Sequence, residues 1–334
     1  MKFVDTFSGI GGFHLGIKKA MPEAECVLSV EWDKHAKQVY HDNFPETPQW
    51  DDITTLDIEN MPDHDLLVGG FPCQPFSINR PVKDKKATDE NDDRTNLFKY
   101  LIKICEVKKP KHVLFENVAR LASMKNHEGE VMVDVVCGEL RKLGYNVEWK
   151  VLDSKDYGVP QQRKRTFIIG SLEGQELKFP EPTGEEVSVR DILEDAVDSK
   201  LYAEHRLTRQ KLKDGKTTKL EALKKSYRHD IDKDEIKGKI TPVSLILGDT
   251  PSGVSRQHDR LYSIDGISRT LATFGHPYFD VDGLWRMLSP RESARLQGFP
   301  EDFKICKNTN SALKQFGNAV TVNVIEAIVK KNFT

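Results

Sequence analysis

Cysteine is scarce in this chain: five among 334 residues, an odd number with no C-x-x-C pair. Neither a disulfide framework nor a zinc centre is therefore expected, and no metal site is assigned. No apolar run reaches the roughly 18 residues that a spanning helix needs, so no membrane partner is expected. The chain opens on Met1-Lys2-Phe3-Val4, without a charged-then-apolar leader, which makes a soluble, cytoplasmic protein the expectation. A global charge field is missing too. The formal net charge is −2 although 31% of residues are charged, so any nucleic-acid surface must be local. Internal repeats and low-complexity tracts are absent. This length admits one large domain or two moderate ones with ample core.

What the chain does have is concentrated in Gly69-Gly70-Phe71-Pro72-Cys73-Gln74-Pro75-Phe76-Ser77. The apolar run Asp65-Leu66-Leu67-Val68 before it reads as a buried strand emptying into a turn. Pro72 and Pro75 restrict the backbone and remove amide donors, so the segment continues neither a strand nor a helix. A thiol on a rigid turn at a strand's C-terminal end is placed for nucleophilic work. A lone cysteine in such a turn also serves as a small apolar filler. Its company elsewhere in the chain has to decide.

In chain order, residues 2–7 form an apolar strand, Ser8-Gly9-Ile10-Gly11-Gly12 a turn, and a helix is expected from Phe13. Strand, glycine turn and helix make a phosphate or cofactor cradle in a doubly wound α/β fold. The dinucleotide fingerprint G-x-G-x-x-G requires glycine at position 14, where His14 stands, and this disfavours a nicotinamide cofactor. A second strand over 26–30 ends in Glu31-Trp32-Asp33. An acid about 20 positions past the glycine turn sits where a ribose diol is held, and Trp32 offers a face for a base; a solvated acid and a half-buried indole fit as well. Asp51-Asp52-Ile53-Thr54 reads as a third strand end. Residues 79–93 are polar and densely charged, a pattern that favours a lid over a passive connection.

Core spacing of Leu97, Tyr100, Leu101, Ile104 and Cys105 predicts a helix from about position 95. A buried strand over 112–115 then ends in Glu116-Asn117-Val118, a helix is expected over 130–143, and strands over 146–152 and 166–170. Open α/β sheets bind ligands at the C-terminal rim shared by Gly11, Glu31, Cys73 and Glu116. Arg163 and Arg165 alternate, so they face one way if the last strand begins early. Two such guanidiniums can grip a phosphate or a carbonyl oxygen. A linker follows at Phe179-Pro180-Glu181-Pro182-Thr183-Gly184. Residues 200–240 carry 13 Lys/Arg against 7 Asp/Glu, the local basic surface that the net charge does not advertise. Composition further marks Arg256, Gln257, His258, Arg260 and the loop from Thr270 to Gly275 as readers of base edges. Ser289-Pro290-Arg291-Glu292 predicts a helix start with a capping box. An apolar helix through Val324, Ile325, Ile328 and Val329 closes the chain.

Phe7-Ser8-Gly9-Ile10-Gly11-Gly12, Gly70-Phe71-Pro72-Cys73-Gln74, Phe115-Glu116-Asn117-Val118, Gln161-x-Arg163-x-Arg165, Ser289-Pro290-Arg291-Glu292 and Gln315-Phe316-Gly317-Asn318 resemble, in this order, the motifs of the prokaryotic and phage DNA cytosine-5 methyltransferases. The resemblance spans nearly the whole chain and leaves only the middle unmatched. It implies an α/β, doubly wound and mostly parallel sheet of the S-adenosylmethionine-dependent methyltransferase fold, with a smaller inserted target-recognition domain. The implied divisions are 1–183 for the catalytic and cofactor domain, 184–311 for target recognition and hinge, and 312–334 for a C-terminal helix that completes the catalytic domain.

The implied chemistry is covalent. Cys73 attacks C6 of a flipped-out cytosine, Glu116 bonds N3 and the exocyclic amine, and Arg165 with Arg163 holds O2. The 79–93 lid closes behind the base. The implied cofactor is S-adenosyl-L-methionine, bound by Phe7, Gly9, Ile10, Gly11, Gly12, Glu31, Trp32, Asp52, Ile53, Pro72, Asn318 and Ala319. Many relatives carry serine where Ala319 stands. Double-stranded DNA is the implied partner, met by Gln74, Ser77 and Asn79 beside the catalytic turn and by Arg256, Arg260 and Thr270 in the inserted domain. A restriction endonuclease acting on the same site is a further partner that the resemblance allows. The Cys-Phe-Thr signature of tRNA-methylating members is absent.

Overall fold

The computed structural model describes residues 1–72, 97–126, 128–204, 221, 224, 227, 236–245 and 260–334. The described chain divides into two compact units. The first comprises Met1–Asp153, Lys164–Glu181 and Val324–Thr334, and the second Ser154–Arg163 and Pro182–Asn323. The division falls at the linker composition around Pro180-Glu181-Pro182, and also where composition gave no sign, at the short excursion of residues 154–163. The chain returns to the first unit at Val324, later than the 312 boundary set from motifs.

The first unit is built on a seven-stranded sheet. Its strands are β1 (Lys2–Thr6), β2 (Glu25–Val30), β3 (Gln49–Trp50), β4 (Leu66–Gly70), β5 (His112–Val118), β6 (Asn146–Asp153) and, after β7 (Gln161–Gln162) in the second unit, β8 (Lys164–Ser171). They are ordered β3-β2-β1-β4-β5-β8-β6. β1 to β5 run parallel, and β8 is antiparallel to both β5 and β6. Phe3, Val4, Leu66, Leu67, Val68, Val113 and Leu114 are all wholly inaccessible. A parallel sheet covered on both faces demands such unbroken apolar runs, which is why these strands could be read from sequence. Chain direction across the sheet reverses between β1 and β4, and ligands bind at such a switch point, beyond the strands' C-terminal ends.

Four helices accompany this sheet: α1 (Gly12–Ala20), α2 (Lys34–Asn43), α3 (Phe98–Lys108) and α4 (Met132–Lys142). Leu101, Ile104 and Cys105 of α3 and Val133, Val136, Cys137 and Leu140 of α4 belong to one core with Leu67, Val113 and Ile168. Burial pushes the Cys105 and Cys137 thiols up to about 12, as expected of structural cysteines.

The second unit holds β9 (Pro242–Leu245), β10 (Arg260–Ser263), β12 (Tyr278–Val281) and β13 (Leu284–Arg286) in one sheet, ordered β13-β12-β10-β9. A separate pair joins β11 (Ser268–Arg269) to β7 in parallel, Ser268 opposite Gln161 and Arg269 opposite Gln162. Its helices are α5 (Pro290–Leu296) and α6 (Thr309–Asn318). α5 starts as its sequence predicts: Ser289 Oγ accepts from the Glu292 amide at 3.1 Å, and Glu292 Oε2 accepts from the Ser289 amide at 2.7 Å. Glu292 also binds Arg286 through two bonds of 2.7 Å, with side chains 0% and 3% exposed. α7 (Val322–Asn332) leads back to the first unit, where Asn332 Nδ2 donates to the Lys178 carbonyl and Asn332 Oδ1 accepts from the Lys178 amide, each at 2.9 Å.

Candidate active site

β1 ends in a loop whose backbone is left-handed at Phe7 (φ 52°), Gly9 (φ 55°) and Gly11 (φ 94°). Gly11 precedes α1 and supplies no capping side chain, and a helix start of that kind is suited to an anionic acceptor. A Cβ on Gly11 would collide with the Phe44 ring. Ile10 is buried, so its side chain belongs to the core and only its backbone serves the loop. Across the switch point, Thr6 Oγ1 donates to the Val68 carbonyl at 2.7 Å, and a Cβ on Gly69 would strike that same oxygen. Close approach of β1 and β4 therefore requires glycine at position 69.

Glu31, just beyond β2, binds the loop directly. Its Oε2 accepts from the Gly9 amide at 2.9 Å, and its Oε1 from the Asp33 amide at 2.8 Å. Burial raises its pKa and the two amide bonds oppose the rise. The neighbouring Trp32 is 81% exposed, an open indole face beside an anchored carboxylate. Asp33 caps α2, accepting from the His35 and Ala36 amides at 2.9 and 3.1 Å. Asp52 Oδ1 accepts from the Thr54 amide at 2.9 Å, and Ile53 beside it is buried.

The next two strands supply the remaining groups of this rim. Gly70 lies opposite Glu116 in the β4–β5 register, and a Cβ there would be 3.4 Å from Glu116 Oε2. Arg165 Nε lies 2.9 Å from Glu116 Oε1, with side chains only 17% and 11% exposed. The approach is an ion pair rather than an aligned hydrogen bond, since Glu116 Oε1 has no partner of hydrogen-bond geometry. Asn117 turns inward: its Nδ2 donates to the Phe71 carbonyl at 2.9 Å, and its Oδ1 accepts from the Val118 amide at 2.8 Å. It ties the end of β5 to the stretch leading into Pro72, which is exposed. Cys73, Gln74, Ser77, Asn79, the 79–93 lid and Arg256 lie outside the described residues, as does most of the basic stretch 200–240.

Arg163 departs from expectation. β8 begins at Lys164, so Arg163 stands before the strand and does not share a face with Arg165. Its guanidinium is 98% buried in the second unit (2% exposed), donating to the carbonyls of Leu271, Gly317 and Ala319 at 3.1, 3.1 and 2.8 Å. Asn318 and Ala319 also belong to the second unit, at the end of α6, and their part in cofactor binding rests on the motif resemblance. There Thr270 Oγ1 donates to the Gln162 carbonyl at 2.7 Å, and Arg260 opens β10.

Two groups behind the glycine loop, Asp5 and His14, are buried, which the sequence reading did not anticipate. Asp5, inside β1, is wholly inaccessible, and neither carboxyl oxygen has a hydrogen bond of ordinary geometry. Burial, and then the nearby Glu31 charge, raise its pKa far above the usual carboxylate range, the His14 amide offsetting a part. His14 stacks on Phe44 (centroids 3.8 Å apart, 12° between planes), with Nδ1 2.8 Å from the Tyr40 hydroxyl. Burial, then the Lys18 charge, lower its pKa from 6.5 to about 3. Between those values the unfolded chain carries a proton that the folded chain lacks, so this group costs stability as pH falls through that window. Urea unfolding of wild type and His14→Phe at pH 7 and pH 4.5 should show wild type losing ground relative to the variant at the lower pH. A stability difference that stays constant would refute the buried neutral imidazole.

The family model of the C-5 cytosine-specific DNA methylases matches residues 1–334. Type II methyltransferase M.HhaI of Haemophilus parahaemolyticus is 37% identical, over 98% of this chain and 93% of its own length. Type II methyltransferase M.NlaX of Neisseria lactamica is 35% identical, over 99% and 95%. Among solved structures, a Spodoptera frugiperda DNMT2 mutant matches with a TM-score of 0.71 at 20% identity, over 100% of this chain and 99% of that one. S. pombe Dnmt2 gives 0.70 at 19%, over 99% and 97%. At those identities the two structures speak for the fold alone.

Proposed function

Because this chain belongs to the C-5 cytosine-specific DNA methylase family, we propose that it transfers a methyl group from S-adenosylmethionine to C5 of a cytosine flipped out of double-stranded DNA, in a sequence-specific manner. The observation that carries this reading is the Glu116–Arg165 pair beside Gly70, on the same sheet rim as the Glu31-anchored glycine loop. The loop fits the cofactor chemically. The start of α1, without a side-chain cap, suits its carboxylate, Glu31 suits its ribose hydroxyls, and Trp32 and Asp52 suit its adenine. When bound, S-adenosylmethionine supplies a methyl group activated by a sulfonium centre.

Cytosine C5 is a weak nucleophile until something adds at C6. The Cys73 thiolate fills that need, pushing electron density to C5 while the Cys73–C6 bond persists. Glu116 bonds N3 and the exocyclic amine, sharing a proton with N3 as charge arrives on the ring. Arg165 holds O2, and its ion pair with Glu116 keeps both groups oriented before a base arrives. Loss of the C5 proton and departure of Cys73 then restore the ring. The target atom is inaccessible within a stacked duplex, hence the flipped base. The Type II naming of the relatives supports a restriction endonuclease of the same specificity as a partner. Among the described residues no helix is long and apolar enough to cross a membrane.

An oligonucleotide with 5-fluorocytosine at the methylated position tests this reading. Fluorine at C5 blocks the final elimination, so a denaturing gel should display a covalent protein–DNA adduct that requires S-adenosylmethionine. No adduct, at a site whose unmodified form is methylated, would rule out covalent catalysis.

A further inference from the structure

Arg163 is an unusual expenditure for a base-gripping motif. A buried guanidinium is tolerated only where it finds acceptors, and here Nη1 and Nη2 meet three carbonyls, of Leu271, Gly317 and Ala319. Leu271 is held at both backbone groups. While its carbonyl accepts from Arg163 Nη1, its amide donates at 2.8 Å to Oε1 of Gln161, itself inaccessible. Gln161 is fixed in turn, since its Nε2 donates to the Leu296 carbonyl at 3.0 Å. Just upstream, β11 pairs with β7, and Thr270 Oγ1 bonds the Gln162 carbonyl. Just downstream, the chain leaves this clasp and turns outward: Phe274 is 78% exposed and Gly275 is left-handed, with φ 70°. All of these residues lie in the second unit.

A loop rooted so firmly and exposed at its tip presents the tip in a defined geometry, as base reading requires. An exposed aromatic ring also offers a stacking face to nucleobases. We infer that Arg163, together with Gln161, is a positioning residue for DNA sequence preference: it sets the 271–275 loop that meets the DNA bases and does not touch the target cytosine. The inference rests on the DNA-methylating function proposed above. It separates two arginines that stand two residues apart, Arg165 for the reaction and Arg163 for the choice of site.

Lysine at 163 keeps the charge but cannot span carbonyls on two segments as a planar fork does. Methylation of a randomised duplex library by wild type, Arg163→Lys and Arg165→Lys is the test, with thermal unfolding run alongside. For folded Arg163→Lys, discrimination between the preferred site and single-base neighbours should fall by roughly tenfold, within the range that one lost base contact confers. Arg165→Lys should lower turnover evenly at all sites. An unchanged site preference in folded Arg163→Lys, with turnover reduced uniformly, would overturn the inference. Wild type that methylates no cytosine would instead refute the function on which it rests.

Two further measurements apply if Arg163→Lys does not fold. Gly317→Ala would press on the same loop with Arg163 intact, because its Cβ would come within 2.6 Å of the Ala272 carbonyl oxygen; relaxed preference is expected, and unchanged preference counts against the inference. In wild type, the Leu271 amide should exchange with solvent deuterium only as slowly as the core strands of its unit. Exchange at the rate of an open loop would show that the clasp does not hold.

Discussion

Replacing Cys73 with alanine is expected to reduce methyl transfer to the uncatalysed background while S-adenosylmethionine and DNA still bind. The reason is chemical. In the proposed mechanism Glu116 and Arg165 polarise a cytosine through N3 and O2, but polarisation alone leaves C5 without the electron pair that addition at C6 provides. The substitution removes one sulfur and leaves unaltered the Asn117–Phe71 tie that leads into the catalytic turn. Calorimetric titration with the cofactor, gel-shift titration with DNA and a tritium-transfer assay separate the three quantities. Turnover within an order of magnitude of wild type would dismiss Cys73 as the nucleophile. Loss of cofactor binding in parallel would mean that the thiol has a structural part instead.

Glu292→Ala should be the most damaging substitution away from the reaction. The carboxylate is wholly buried, accepts two bonds from Arg286, accepts from the Ser289 and Glu194 amides, and completes the cap of α5. Its removal leaves a buried guanidinium uncompensated and two amides without an acceptor, a loss of about 3–5 kcal/mol by comparison with other broken buried pairs. Replacing both partners at once, as Arg286→Met with Glu292→Leu, should cost much less, because no orphaned charge remains. Urea unfolding monitored by tryptophan fluorescence gives both values, Trp285 lying next to Arg286. If the double variant were as unstable as the single one, the cap and not the buried charge would be the source of the loss.

How much could be read beforehand depended on whether local sequence or distant partners decide a feature. β1, β4 and β5 were legible because a covered parallel strand must be apolar without interruption, and α5 because its cap is written in four consecutive residues. Glu31 and Glu116 were legible as acids at the tips of such strands. The place of Arg163 was not. The two-residue β7 pairs with β11, about a hundred positions later, and nothing between Gln161 and Arg165 signals that one pairing ends and another begins. Alternation puts both arginines on one face only if the strand begins before Arg163, and it begins at Lys164. Apart from β10, where Arg260-Leu261-Tyr262-Ser263-Ile264 reads as a short strand, the short strands of the second unit give too few residues for a period to emerge. Asp5 was hidden differently: an acid within a strand usually faces solvent, and only the covered sheet reveals that this one cannot.

The return of the chain through α7 has a consequence for biosynthesis. Val324, Ile325, Ile328 and Val329 are fully or almost fully buried, and Asn332 is bonded to Gln175 and Lys178, a hundred and fifty-odd positions earlier. Phe333 packs its ring on His112 at 4.9 Å. A ribosome delivers these residues only after the whole of the second unit has emerged. The nascent first unit must therefore wait without these buried side chains while some 140 residues of another unit are made, about 7–30 s at ordinary elongation rates. During that interval the first unit is exposed to aggregation and to chaperones. Supplying α7 earlier, by a circular permutation that places it ahead of β1, should shorten the vulnerable period and raise the soluble yield.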